Sequence, residues 1–102
     1  MRIIKKATLA AYWTGNPQAE SSLWHWYKVT RKASWTCLPD VRATFPHADR
    51  VRVRSGRTVV VFNVGGNKYR LITAIHYDRQ RVFTLMVLTH AEYSRNEWKD
   101  IL

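Results

Sequence analysis

Cysteine is almost absent from this chain of 102 residues: Cys37 stands alone. No disulfide framework forms within the chain, which fits a reducing compartment. A lone thiol before Leu38-Pro39 reads as structural rather than nucleophilic. Acidic residues are also scarce, 7 against 17 Lys and Arg, leaving a net charge of +10. A field of that sign draws polyanions, of which nucleic acid is the commonest in a cell. No apolar run approaches the ~18 residues of a membrane span, so no membrane partner is expected. The opening "MRIIKKATLAAYW" lacks the apolar stretch and small-residue cleavage site of a secretion signal, and the expected location is cytoplasmic. There is no internal repeat and no low-complexity linker, so residues 1–102 are expected to form one domain. The four His have no metal-ligand spacing with Cys37, and neither a metal nor a cofactor is expected. GGNK at 65–68 is not a phosphate-binding loop of the G-x-x-x-x-G-K-[ST] kind.

What is present is apolar and aromatic. Hydrophobic residues make up 46%, with 5 Trp, 5 Tyr and 3 Phe, enough to build a core. "RII" at 2–4 reads as a short strand. Residues 5–14 read as a helix that Gly15 ends in the left-handed conformation. Asn16-Pro17 reads as an N-cap and first helical residue. The second helix runs to about Ala33, with Ala19, Leu23, Trp26, Tyr27 and Thr30 as its inner stripe. A connector follows over 34–50, with a helical turn in "PDVRATF". From there the period changes to two. The stretch 51–90 holds about four strands, broken at Ser55-Gly56, Gly65-Gly66 and Asp78-Arg79-Gln80, which predicts an antiparallel meander. The tail "AEYSRNEWKDIL" reads as a short helix or turn. The fold class is α+β.

Directly opposed residues of an antiparallel hairpin share a face. With two-residue turns at Ser55-Gly56 and Gly65-Gly66, Arg54 faces Arg57, Arg52 faces Val59, Asn63 faces Lys68 and Val61 faces Arg70. Across the last turn Arg70 meets Leu88 or His90. One face then carries Arg52, Arg54, Arg57, Asn63, Lys68, Arg70, Met86, Leu88 and His90. The other carries Val51, Val53, Val60, Phe62, Tyr69, Leu71, Phe83, Leu85 and Val87, and would take the helices. A cationic face is often only a solvated one. The cluster of Lys68, Arg70, His90 and Asn63 is better suited to chemistry. Arg offers a fork matching a phosphate and Lys a point charge. An imidazole suits proton transfer near neutral pH. This set, free of acidic metal ligands, fits metal-independent cleavage of an RNA phosphodiester. Tyr93 and Trp98 follow His90 and are open to two readings, core residues or a border of the same groove, where a ring can stack on an unpaired base. His25 and His47 read as surface or core-edge residues.

These residues resemble the HigB-like toxins of bacterial type II toxin–antitoxin modules, within the RelE superfamily of mRNA interferases. The likeness runs nearly end to end: "MRII", Trp13, Pro17, "LWHWY" at 23–27, Trp35, "FP" at 45–46, and most specifically "FNVGGNKYRLI" at 62–72 and "VLTHAEY" at 87–93. It implies two helices packed on a curved antiparallel sheet of four to five strands, with the free face as an RNA-cleaving groove. It implies attack of an RNA 2′-hydroxyl on the adjacent phosphate, usually in ribosome-bound mRNA, and neutralisation by a helix-turn-helix antitoxin of the HigA kind. Arg70 and His90 match the family's catalytic places, with Lys68 beside them. Asn63, Asn67, Arg52, Arg54, Arg57, Tyr93 and Lys99 are the expected RNA contacts. A competing reading is a non-catalytic RNA- or ribosome-binding protein, or an inactive toxin homologue. One departure stands out: Leu85, in "TLMVLTH", replaces an Arg the family often carries, and the register above turns Leu85 toward the helices.

Overall fold

A computed structural model describes residues 1–102. Strand β1 (Arg2–Ile4) leads into helix α1 (Lys6–Gly15), and a 3₁₀ turn (Pro17–Ala19) into α2 (Glu20–Lys32). Helix α3 (Leu38–Thr44) precedes strands β2 (Asp49–Arg52), β3 (Thr58–Val64), β4 (Tyr69–His76) and β5 (Arg81–Thr89). Two short helices, α4 (His90–Ser94) and α5 (Trp98–Ile101), end the fold. The α+β class is as expected.

The start of α1 is built without a side-chain cap. Lys5 turns the chain at φ 65°, a conformation that costs a non-glycine residue about 1 kcal/mol or more. The buried Thr84 hydroxyl holds it there, donating to the Lys5 carbonyl at 2.6 Å with that of Ile4 3.1 Å away. At the other end the sequence misleads. Gly15 is the last helical residue, and Asn16 closes the helix instead, its backbone N–H and its side-chain amide both donating to the Tyr12 carbonyl. Asn16 therefore caps the helix before it rather than the one after. The stripe Ala19, Leu23, Trp26 and Thr30 is fully buried, while Tyr27 is half-buried at its edge.

The sheet order is β1-β5-β4-β3-β2. Its four later strands form the expected antiparallel meander. Strand β1 departs from it, pairing parallel to β5 with Arg2 opposite Arg81 and Ile4 opposite Phe83. The sheet is therefore mixed. The crossover between these parallel strands carries the helices onto one face, as such connections require.

Two apolar layers result. The larger lies between the helices and one sheet face, around Phe62, against which Trp26, Trp35 and Phe45 pack with ring centroids 5.3–6.0 Å away. The smaller lies on the opposite face: Val53, Val59, Val61 and Ile72, closed over by Trp98 of α5. Val51 and Val53 belong to this second layer and not to the helix-facing core the sequence suggests. The reason is the β2–β3 turn. It is one residue longer than expected, with Arg54-Ser55-Gly56 as the loop, Gly56 at φ +91° and Val53 N–H bonded to the Arg57 carbonyl. Arg52 then opposes Thr58, and Val51 opposes Val59. A one-residue slip of this kind moves a whole strand's side chains to the other face.

Candidate RNA-cleaving site

The β3–β4 turn takes four residues, Gly65 to Lys68, with both glycines at positive φ (67° and 68°). Two extra residues keep the parity. Asn63 opposes Arg70, where the shorter turn would set it against Lys68. Lys68 leaves the strand for the turn and stands exposed. Arg70 points out of the sheet on the face opposite the helices, yet it is only 8% exposed. Its guanidinium is fixed on three sides. Nη1 donates to the carbonyls of Asn67 (3.3 Å) and Tyr69 (3.1 Å), and Nη2 to the Asn67 amide oxygen at 2.7 Å. Its Cζ lies 5.5 Å from the centre of the Tyr93 ring. A buried cation held by its own turn is pre-organised: it need not reorganise when a phosphate arrives.

Across the next hairpin Arg70 opposes Leu88, one of the two expected pairings. His90 is not a strand residue. Thr89 ends β5 and caps α4, its hydroxyl accepting the Glu92 N–H while the Glu92 carboxylate accepts the Thr89 N–H. This reciprocal pair is a capping box. It leaves His90 as the first helical residue, with its ring exposed. The His90 N–H bonds to the Lys68 carbonyl at 2.9 Å, which ties the start of α4 to the glycine turn. Lys68, Arg70, His90, Asn63 and Asn67 thus gather at one end of the sheet, as the sequence suggests, although by turn contacts rather than strand pairing.

Tyr93 joins this end differently from expectation. Its ring is stacked on Trp98, 5.2 Å between centroids at 19°, and lies against the Arg70 guanidinium. The ring therefore seats Arg70 and is not a free platform for a base. Burial pushes its phenol above the usual range, Asp49 adds to that, and Arg70 opposes it. Tyr93 stays a neutral hydrogen-bond donor at physiological pH. Trp98 is buried in the second apolar layer and is likewise closed to a base.

Arg52, Arg54, Arg57 and Lys99 are not brought to this site. Arg52 follows the shifted register to the other face. Arg54 pairs with Asp100 of α5 at 3.6 Å. Arg57 lines a cleft at the far end of the sheet with Ala74, His76, Phe83 and Leu85. Six strand positions separate Arg57 from Asn63, roughly 20 Å. Lys99 sits over the Trp98 ring, its backbone carbonyl bonded to Arg54 N–H.

Leu85 is the other correction. The pairing of β4 with β5 jumps between Ile72–Met86 and Thr73–Thr84, so Leu85 is a bulge residue with no partner. A bulge reorients the chain locally. Leu85 consequently packs with Met86 and Leu88 on the groove-side layer, not against the helices. Sequence reasoning missed one residue outright. Asp49 opposes Val61 on the Arg70 face, within electrostatic reach of Tyr93, and pairs with Arg42 at 3.5 Å. Only the longer turn at Gly56 would have revealed it. Nowhere do three His, Cys, Asp or Glu side chains come together as a metal site would require, and no helix is long and apolar enough to cross a membrane.

Helices packed on one face of a five-stranded mixed sheet are consistent with a RelE-like fold. The comparisons agree. Residues 19–96 match the HigB toxin family, described as the RelE-like toxic component of a toxin–antitoxin system. The chain is 30% identical over 95 residues to the mRNA interferase HigB of a uropathogenic Escherichia coli, covering 93% of this chain and 90% of that protein. It is 34% identical over 53 residues to the mRNA interferase HigB of Shigella flexneri, about half of each chain (52% and 49%). This chain belongs to the HigB toxin family.

Proposed function

We propose that this protein is an endoribonuclease that cleaves mRNA without a metal ion, acts on message held by the ribosome, and is neutralised by a helix-turn-helix antitoxin of the HigA kind. The observation that carries the reading is Arg70: a cation 8% exposed, immobilised by three hydrogen bonds, directly opposite Asn63 and within one turn of Lys68 and His90. In the reaction the RNA 2′-oxygen forms a bond to the adjacent phosphorus and the bond to the 5′-oxygen breaks. The products are a 2′,3′-cyclic phosphate and a free 5′-hydroxyl. Arg70 and Lys68 stabilise the extra negative charge on the pentacoordinate phosphorus. His90, exposed at the mouth, carries the proton between solvent and the reacting oxygens. Asn63 and Asn67 position phosphate and ribose.

Induced expression with mapping of mRNA 5′ ends tests this. New ends and growth arrest are expected from the wild-type chain, with both lost in Arg70→Ala and His90→Ala; full toxicity in both variants sinks the assignment. Leu85 favours one second reading. It fills with an apolar side chain a groove position where the family often carries a cation, as a non-catalytic RNA-binding homologue would. If Leu85→Arg converts a non-cleaving chain into a cleaving one, that reading holds. If the wild-type chain already cleaves and Leu85→Arg changes its rate less than twofold, it fails.

A further inference from the structure

Strand register sets three side chains in one row at the far end of the free sheet face. Arg2 of β1 opposes Arg81 of β5, and Arg81 opposes His76 of β4. Opposed residues share a face. Their chain neighbours Ile3, Val82 and Ile75 pack in the helix-side core, so the row projects from the other side, the side of Arg70. Arg57, which follows the Gly56 turn, lines a cleft of about 430 Å³ together with His76 and Phe83. Arg2, Arg57 and His76 are exposed and Arg81 is half-buried. The His76 ring rests 5.0 Å from that of Phe83.

These three guanidiniums have no counter-charge. The ion pairs of the fold, Arg42 with Asp49 and Arg54 with Asp100, lie elsewhere, and Asp78 in the turn beside the row pairs with none of them. Like charges set directly opposite one another destabilise a sheet. A cation on an edge strand serves to block a further strand. That accounts for Arg2 on β1, but not for Arg81 on the strand inside it. An anion bound between the two relieves the repulsion. The row lies six positions along β4 from Arg70, roughly 20 Å, and Trp98 covers Val59, Val61 and Ile72 on the sheet between them. It is therefore separate from the cleavage site.

We propose that Arg2, Arg57, His76 and Arg81 form a second RNA-binding site, which holds backbone phosphates of a stretch remote from the cut. Each guanidinium fork matches a phosphate, and the His76 ring presents an N–H donor. Contacts of this kind position a chain without reading its sequence. The site rests on the ribonuclease reading only in taking RNA as its ligand. The face it shares with Arg70 favours RNA over an acidic protein segment, since that is the face at which RNA is cut. The phosphates belong to the message beyond the cut or to ribosomal RNA.

The triple variant Arg2→Gln/Arg57→Gln/Arg81→Gln tests this. Its control is Lys28→Gln/Arg31→Gln/Lys32→Gln, three exposed positions of α2 that change the net charge equally. Binding is measured to purified ribosomes without message and to an uncleavable 2′-O-methyl RNA of about 20 nucleotides, longer than one single-strand site. At about 0.1 M salt the row variant should bind about tenfold more weakly, with a salt slope lower by about 2 for three phosphates, and the control should lose less than about threefold. Loss on the oligomer assigns the phosphates to the message, and loss on ribosomes alone assigns them to ribosomal RNA. With the Arg2–Arg81 repulsion gone, the row variant should melt about 2 °C above wild type in low salt. Equal losses in both variants, no loss on either probe, or a lowered melting midpoint overturns the site. So does poly-glutamate that binds the wild-type chain as tightly as RNA does but not the row variant, which marks a docking place for acidic protein. A row-specific loss in a chain that cuts no message upholds the site and defeats the ribonuclease reading. A chain that cuts message while its row variant binds like wild type defeats the site alone.

Discussion

Replacing Arg70 by Lys keeps a charge and removes a fork. The wild-type guanidinium makes three hydrogen bonds and lies against Tyr93; an ammonium on a shorter stem holds at most one of those bonds while facing a substrate. Each lost bond from a charged donor is worth about 1.5 kcal/mol and the ring contact roughly 0.5–1 kcal/mol, so with two bonds lost unfolding stability should fall by about 4 kcal/mol. The chemistry loses more. A fixed cation 4 Å from the developing phosphorane charge contributes about 4 kcal/mol at an effective dielectric constant near 20, and removal of one pre-organised donor in other enzymes costs about 10²–10³-fold. Arg70→Lys is therefore expected to cut more slowly by about 10²-fold and Arg70→Ala by about 10³-fold. Single-turnover cleavage of a synthetic message on ribosomes measures the rate, and urea unfolding of the same samples measures the stability. The reasoning is refuted if Arg70→Lys cleaves within threefold of wild type. It is also refuted if Arg70→Lys loses stability but Arg70→Ala loses no more rate than Arg70→Lys does.

Trp98→Ala should lower unfolding stability by about 3–5 kcal/mol, because the indole closes the second apolar layer at 3% exposure; a urea midpoint within error of wild type would contradict that. Gly65→Ala should destabilise by more than Gly66→Ala. Both positions have positive φ, but a Cβ at Gly65 also meets the Tyr69 ring at 3.1 Å while Gly66 opens to free space; equal thermal midpoints would show the ring contact to be immaterial. Asp40 accepts from the Thr36 backbone N–H and hydroxyl, and these bonds, with a lesser one from Cys37, hold its carboxyl below the usual range. A depressed carboxyl contributes stability above its unfolded value near pH 4 that is lost as pH falls through the folded one. Asp40→Asn should therefore narrow the gap to wild type below pH 4, and a constant gap from pH 7 to 3 would refute it.

How much of this was legible in the sequence depended on turn length more than on strand pattern. The meander was readable because alternation and glycine spacing are local signals. Arg70 and Asn63 fell on one face because the error at the β3–β4 turn was two residues, which preserves parity. Arg52, Val51 and Val53 were misplaced because the error at Gly56 was one. Leu85 was misplaced because a bulge has no signature in apolar alternation: "TLMVL" reads as an unbroken strand. The parallel pairing of β1 was hidden because its partner lies far along the chain. His90 was placed near Lys68 correctly, but for a different cause, a backbone hydrogen bond at a helix start. The role of Tyr93 escaped because an aromatic residue after a site motif looks the same whether it stacks on a base or seats an arginine.

The parallel strand has a consequence in time. Arg2 can find Arg81, and Ile4 Phe83, only once β5 has been synthesised. Contacts so distant in sequence form late and slowly, because the loop they close is long. A nascent chain can build its helices and the β3–β4 hairpin as it emerges at about 5–20 residues per second. It cannot close the sheet, nor the buried bond from Thr84 that sets the start of α1, until its last strand is made. The sheet that carries Arg70 is therefore complete only in a chain whose fifth strand has left the ribosome.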